Sequence, residues 1–122
     1  MILVDSSIWI DHIRRANPIL SGLLENDRVL LHPYVIGEIA MGSLANRLNV
    51  ITQLSRQRQI AVAIHEEVMA FIEANGLFGI GIGYIDAHLL ASVKITPQAQ
   101  LWTSDNRLAA VAARFHLAFI PN

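Results

Sequence analysis

The sequence contains no cysteine, and only one of its nine basic residues is a lysine. Without thiols the chain can form neither disulfide bonds nor thiolate metal sites, so any metal would be bound by oxygen or imidazole ligands. Only 16% of the residues are charged, whereas 53% are apolar, and this balance argues against intrinsic disorder. We therefore expect one folded domain that covers residues 1–122.

The sequence also lacks long apolar runs and a strong charge of either sign. No run approaches the roughly 18 apolar residues of a membrane span, and no basic leader precedes an apolar segment at the N-terminus. We accordingly expect no membrane partner and a cytoplasmic location. The formal net charge of -1 lacks the basic excess typical of non-specific nucleic-acid binding, which counts mildly against a polynucleotide partner.

Short runs of Ile, Val and Leu alternate with helical segments along the chain. The runs predicted as strands are residues 2–5, 29–32, 60–64, 100–103 and 118–120. The predicted helices are residues 6–15, 18–25, one from 33 onward that carries Glu38, 47–57, 65–75, 84–93 and 104–114. Because the strands are apolar throughout, we predict an α/β fold whose parallel sheet of four to five strands is flanked by helices on both faces.

Four acidic residues stand in apolar surroundings, where an unpaired ionised carboxylate costs on the order of several kcal/mol. These residues, called the acid cluster, are Asp5, Glu38, Asp86 and Asp105. Asp5 and Asp105 end or follow predicted strands, at the edge where open α/β sheets bind their ligands. No Lys or Arg lies within four residues of the first three acids, so local ion pairs cannot neutralise the set. A divalent cation could neutralise these four acids.

Carboxylate oxygens are the ligands that Mg²⁺ and Mn²⁺ prefer. We predict that Asp5, Asp86 and Asp105 bind such a metal and that Glu38 is a further ligand or orients a water, all four being catalytic. One or two ions held in this way would support in-line hydrolysis of a phosphodiester in a nucleic-acid backbone.

Two further sets of residues complete the predicted site. Ser7 and Thr103 are predicted to donate hydrogen bonds that orient the carboxylates. Arg14, Arg15 and Arg107 are the arginines predicted to contact RNA phosphates.

Four segments of the sequence, taken in order, resemble a PIN domain of the VapC toxin branch. They are residues 4–12, 38–39, 83–91 and 101–108, and the resemblance spans the whole chain. It implies a Mg²⁺- or Mn²⁺-dependent endoribonuclease that acts on structured cellular RNA. It further implies a homodimer that a small VapB-like antitoxin holds inactive.

Other interpretations of the same residues stay open. Asp5 and Asp105 are also suited to cap helices, and Glu38 could be an ordinary exposed helix residue, whereas Asp86 is the hardest to explain structurally. One alternative function is a receiver-like phosphoacceptor module, which needs a lysine near a late strand end. The only lysine, Lys94, instead ends the helix of Asp86. The other is a PIN-fold module that binds RNA or protein without cutting.

Overall fold

The computed structural model describes residues 1–121. Its strands are β1 (Ile2–Val4), β2 (Val29–Leu30) and β3 (Gln100–Trp102). Its helices are α1 (Ser6–Arg14), α2 (Pro18–Glu25), α3 (Pro33–Ala40), α4 (Arg47–Ser55), α5 (His65–Asn75), α6 (Tyr84–Lys94) and α7 (Asn106–Arg114). None of the helices in this range is long and apolar enough to cross a membrane.

The strands form one parallel sheet in the order β2-β1-β3. All three residues of β1 are buried. Because successive residues of a strand point to opposite faces, burial of every β1 residue means that both faces of the sheet are covered. The prediction of an α/β fold with a parallel sheet between helices is therefore confirmed.

The prediction of four to five strands is wrong, because the sheet within residues 1–121 has three. The third predicted strand, residues 60–64, forms no strand, and the bridge in this region joins Leu31 to the residue before it, Gln59. The fifth predicted strand reaches the sheet only through a bridge between Leu101 and Ala118. The first ladder cannot lengthen because Pro33, which has no N–H to donate, begins α3 directly afterwards. Beyond β3 the chain continues through residues 103–105 and then begins α7 at Asn106.

Several helix ends follow from single residues. The side chain of Asn17 accepts hydrogen bonds from the backbone N–H groups of Ile19 and Leu20, at 2.9 and 3.3 Å, and thereby caps α2. Gly76 ends α5 in the left-handed conformation, with φ +61°, which glycine adopts without steric cost. These two ends lie where the sequence predicted them.

A buried hydrogen-bond network joins α3 and α6 to the segment before α5. The Tyr34 N–H donates to His32 Nδ1 at 3.0 Å, so the His32 proton is on Nε2, which lies 3.3 Å from Ser92 Oγ. Ser92 Oγ in turn donates to the carbonyl oxygen of His88 at 2.9 Å and accepts the Ala63 N–H at 3.1 Å. The single hydroxyl of Ser92 therefore satisfies three buried groups.

The free energy of unfolding should depend on pH through His32. Burial, and secondarily the charge of His88, lowers the pKa of His32 from 6.5 to about 4. Between these two values the unfolded chain binds a proton at His32 that the folded chain does not. Stability from His32 is thus complete above pH 6.5 and is lost as the pH falls towards about 4, by at most about 1.4 kcal/mol per pH unit.

Urea unfolding across this pH range measures the effect. The His32→Asn variant keeps a capping side chain for α3 but cannot titrate, so its stability should fall less steeply with acidification. Identical pH profiles for the wild type and this variant would contradict the assignment of the slope to His32.

Candidate active site

The acid cluster gathers at the carboxyl edge of the sheet. Asp5 directly follows β1 and is the N-cap residue of α1, and Asp105 follows β3 and is the N-cap residue of α7. Asp86 lies in the first turn of α6, and Glu38 lies in α3. Three helix N-termini, each the positive end of a helix dipole, therefore bring carboxylates to this edge.

The pKa values of two members show that the four carboxylates influence one another. Burial raises the pKa of Asp86; the Gly83 N–H lowers it, and the charges of Asp5 and Asp105 raise it further. The pKa of Glu38 is also raised, first by partial burial and then by the charges of Asp5 and Asp86. Like charges raise a carboxyl pKa in this way only at short range, so each of the four acids has at least one other member of the cluster as a neighbour.

Three of the carboxylates use one oxygen to accept backbone N–H groups. Asp5 Oδ1 accepts the Ser6 N–H at 2.8 Å, and Asp86 Oδ2 accepts the Gly83 N–H at 3.2 Å. Asp105 Oδ1 accepts two N–H groups from the first turn of α7, at 2.9 and 3.1 Å. Within residues 1–121, Asp86 Oδ1 and Asp105 Oδ2 accept no hydrogen bond. In Asp86 and Asp105, capping thus occupies one oxygen and leaves the other for a ligand.

Thr103 links two members of the cluster. Its Oγ1 donates to Asp5 Oδ2 at 2.7 Å and accepts the Asp105 N–H at 3.1 Å. Asp5 is buried, and its carboxylate is therefore held from both sides, by the N-terminus of α1 and by the Thr103 hydroxyl. This is a geometry in which Thr103 orients a carboxylate.

The two serines after Asp5 have different surroundings from those the sequence suggested. Asp5, and not Ser6 or Ser7, caps α1. Ser7 Oγ accepts a hydrogen bond from Ser104 Oγ at 2.8 Å, and its role as an orienting donor stays a prediction. Sequence reasoning gave Ser6 no role beyond capping, yet its Oγ lies 3.5 Å from Glu38 Oε1 and opposes the rise of the Glu38 pKa. Only the packing of α1 against α3 reveals this contact.

The three arginines predicted to bind RNA lie in two places. Arg107 is in the first turn of α7, where its backbone N–H contacts Asp105. Arg14 and Arg15 lie at the opposite end of α1, a nine-residue helix that spans about 13 Å. All three side chains are exposed. Arg107 is therefore beside the acid cluster, while the other two are distant from it.

No Lys, Arg or His of residues 1–121 forms an ion pair with a member of the acid cluster. The ion pair found within residues 1–121 joins Arg58 to Asp27, before β2 and so at the opposite edge of the sheet. Nor do three or more His, Asp or Glu side chains in this range stand close enough together to hold a metal ion as they are placed.

A cavity of about 280 Å³ lies away from the acid cluster, between α1, α2 and α4. Its lining residues are Trp9, His12, Ile13, Leu24, Val50, Gln53, Leu54 and Gln57. None of them is acidic, and the acid cluster is therefore the better candidate for chemistry on a phosphodiester.

The fold and the site together define an α/β protein with an acidic centre at the carboxyl edge of a parallel sheet. No protein-family model matches the chain. The chain is 43% identical over 118 residues to "Ribonuclease VapC32" of Mycobacterium tuberculosis strain CDC 1551 / Oshkosh, a match that covers 97% of this chain and 95% of the relative. The protein of the same name from strain ATCC 25618 / H37Rv matches equally. The chain belongs to the VapC family, which confirms the family that the four sequence segments predicted.

Proposed function

We propose that this chain is a metal-dependent endoribonuclease of the VapC toxin type, which hydrolyses phosphodiester bonds in cellular RNA. The observation that carries the proposal is the acid cluster at the ligand-binding edge of the sheet. Within residues 1–121, none of its four carboxylates forms an ion pair with Lys or Arg. The name of the two relatives, ribonuclease, supports the same reaction.

The donors of the cluster fit Mg²⁺ or Mn²⁺, because all of them are carboxylate oxygens and the chain has no thiol. Asp5, Asp86 and Asp105 would hold the ion, and the free oxygens of Asp86 and Asp105 fit this role. When bound, such an ion makes a water more acidic and stabilises negative charge on phosphate oxygens.

The chain's own groups complete the site. The pKa of Glu38 is raised and therefore lies closer to neutral pH. A carboxylate with such a pKa accepts a proton from water more effectively. Thr103 fixes the orientation of Asp5. Arg107 contacts the phosphate next to the scissile bond, and Arg14 and Arg15 contact phosphates farther along the strand.

Family membership supports further proposals about partners. A VapB-like antitoxin neutralises the protein, and the working form is a homodimer. Residues 1–122 form one PIN domain that acts on RNA in the cytoplasm.

The phosphoacceptor alternative gains nothing from the fold. Lys94 lies at the end of α6, about 12 Å along the helix from Asp86, and not near a late strand end as that alternative requires.

Cleavage mapping on total RNA tests the proposed function. We expect new RNA ends at discrete positions in the presence of Mn²⁺ and none in the presence of EDTA. Cleavage that persists in EDTA would contradict metal dependence. Absence of Mn²⁺ uptake in a titration, together with absence of cleavage, would favour the non-cleaving PIN-fold alternative.

Replacement of Thr103 by Val should lower Mn²⁺ affinity or the cleavage rate by about 10- to 100-fold, the usual effect of losing a group that orients a metal ligand. Valine keeps the shape but removes the hydrogen bonds to Asp5 and Asp105. Isothermal titration with Mn²⁺ and initial cleavage rates measure the loss.

Ser104→Ala is the matched control for Thr103→Val. It also removes a hydroxyl at this edge of the sheet, but one that contacts Ser7 and no carboxylate. Its expected effect is within about twofold, since surface substitutions of this kind change little. Equal losses in the two variants would show that Thr103 has no special role.

A further inference from the structure

The side chain of Arg107 lies directly on the glycine-rich loop that leads into α6. A methyl group added at Gly81 would stand 2.8 Å from Arg107 Cδ and Nη1 and 3.2 Å from its Cζ. A side-chain carbon does not approach a carbon or nitrogen atom that closely, so the flexible Arg107 side chain would have to move from this position if residue 81 had a side chain. The contact joins the start of α7, which carries Asp105, to the loop before Asp86.

The guanidinium of Arg107 has no partner of its own in the described chain. Within residues 1–121 it makes no ion pair and no hydrogen bond, although its backbone N–H is 2.9 Å from Asp105 Oδ1. Its five N–H donors are therefore open to a ligand, and their planar fork matches the oxygens of a phosphate. Beside a cluster of carboxylates, a free arginine of this kind suits an anionic substrate.

A comparison of Gly79 with Gly81 separates this packing role from the ordinary use of glycine in loops. Both have a positive φ, +69° and +91°, which side chains adopt at a steric cost. A methyl group at Gly79, however, would meet nothing within 4 Å. Only Gly81 combines the backbone requirement with a close approach to Arg107.

We propose that Gly81 is a positioning residue for Arg107, because its missing side chain lets the guanidinium rest on the loop before α6 and there bind an RNA phosphate. This inference rests on the proposed ribonuclease function. Gly81 itself contacts no substrate and acts only through Arg107.

The experiment compares Gly81→Ala, Gly79→Ala, Arg107→Ala and the double variant Gly81→Ala/Arg107→Ala. Binding of a labelled single-stranded RNA of mixed sequence is measured by anisotropy at several salt concentrations, with each change made in the Asp86→Asn background to prevent cleavage. KM and kcat are measured for the same changes in the active protein. NMR relaxation of the Arg107 Nε–Hε group reports its mobility without RNA.

Loss of the positioned guanidinium should weaken RNA binding about tenfold in Gly81→Ala and in Arg107→Ala, as expected for a charge-assisted hydrogen bond. The slope of log affinity against log salt concentration should fall by about one, the amount expected for the loss of one phosphate contact. KM should rise while kcat changes little, since the contact is equally present in the bound substrate and the transition state.

The double variant should bind RNA as Arg107→Ala does, and Gly79→Ala should bind RNA as the wild type does. The mobility of the Arg107 Nε–Hε group should rise in Gly81→Ala but not in Gly79→Ala.

Two results would overturn the inference. One is unchanged RNA affinity and Arg107 mobility in Gly81→Ala, in a protein whose wild type cleaves RNA. The other is an equal loss of affinity from Gly81→Ala with and without Arg107, which would indicate loop strain. Absence of cleavage by the wild type would instead refute the proposed function, and the mobility measurement would still show whether Gly81 positions Arg107.

Discussion

The Asp86→Asn variant should lose RNA cleavage by at least about 100-fold, the order expected when one preorganised electrostatic group at a reacting centre is removed. Asparagine has nearly the same shape and can still accept the Gly83 N–H, so the first turn of α6 should remain capped. The variant therefore removes only the charge that the proposed metal site requires. Cleavage rates with Mn²⁺ measure the loss.

The same substitution should make the metal-free protein more stable. Burial and neighbouring carboxylates raise the pKa of Asp86 above its unfolded value, so the folded state binds the proton more tightly. Protonated Asp86 therefore contributes to the free energy of unfolding at low pH, and this contribution is lost as the pH rises through the raised pKa. At neutral pH the ionised group therefore opposes folding, and neutral asparagine does not. Urea unfolding in EDTA measures this gain.

Asp11→Asn is the matched control for Asp86→Asn. Asp11 is an exposed carboxylate on α1 outside the acid cluster, so its replacement should change neither cleavage nor metal-free stability appreciably. Full activity of Asp86→Asn, or lower stability than the wild type in EDTA, would refute the electrostatic account. Asp5 is a less suitable test site, because its carboxylate also caps α1 and accepts the Thr103 hydroxyl.

The Ser92→Ala variant should lose about 2–4 kcal/mol of stability, a large part of the 5–15 kcal/mol typical of a domain. Without the hydroxyl, the Ala63 N–H and His32 Nε2–H both lose their acceptor inside the protein. Each buried unsatisfied donor costs about 1–3 kcal/mol. Urea unfolding at neutral pH, where His32 is uncharged, measures the loss.

Ser55→Ala separates this effect from the loss of any helical serine. Ser55 Oγ donates to the carbonyl oxygen of Ile51, four residues earlier, in the same way that Ser92 Oγ donates to that of His88. Ser55 is exposed and has no further partner within residues 1–121, so its replacement should cost less than about 0.5 kcal/mol. Similar losses in the two variants would disprove the role of the Ser92 network.

Much of the fold was predictable because it depends on neighbours in sequence. Apolar runs indicated the three strands, and residues such as Asn17 and Gly76 indicated helix ends through interactions within a few positions. The strand count was not predictable in this way. Residues 60–64 are as apolar as a strand, but whether they pair depends on how far the neighbouring strand runs before Pro33 ends it.

The amino-acid sequence by itself indicated the family, through the resemblance of four segments, and singled out four acids in apolar stretches of the chain. The structure buries Asp5 but leaves Glu38 and Asp105 exposed, so apolar neighbours in sequence did not predict how costly each carboxylate is. Only the tertiary structure decided which groups surround them. The contacts of Thr103 with Asp5 and of Gly81 with Arg107 join residues far apart in the chain. Such contacts arise when separate helices and strands pack together, and no local pattern encodes their distances.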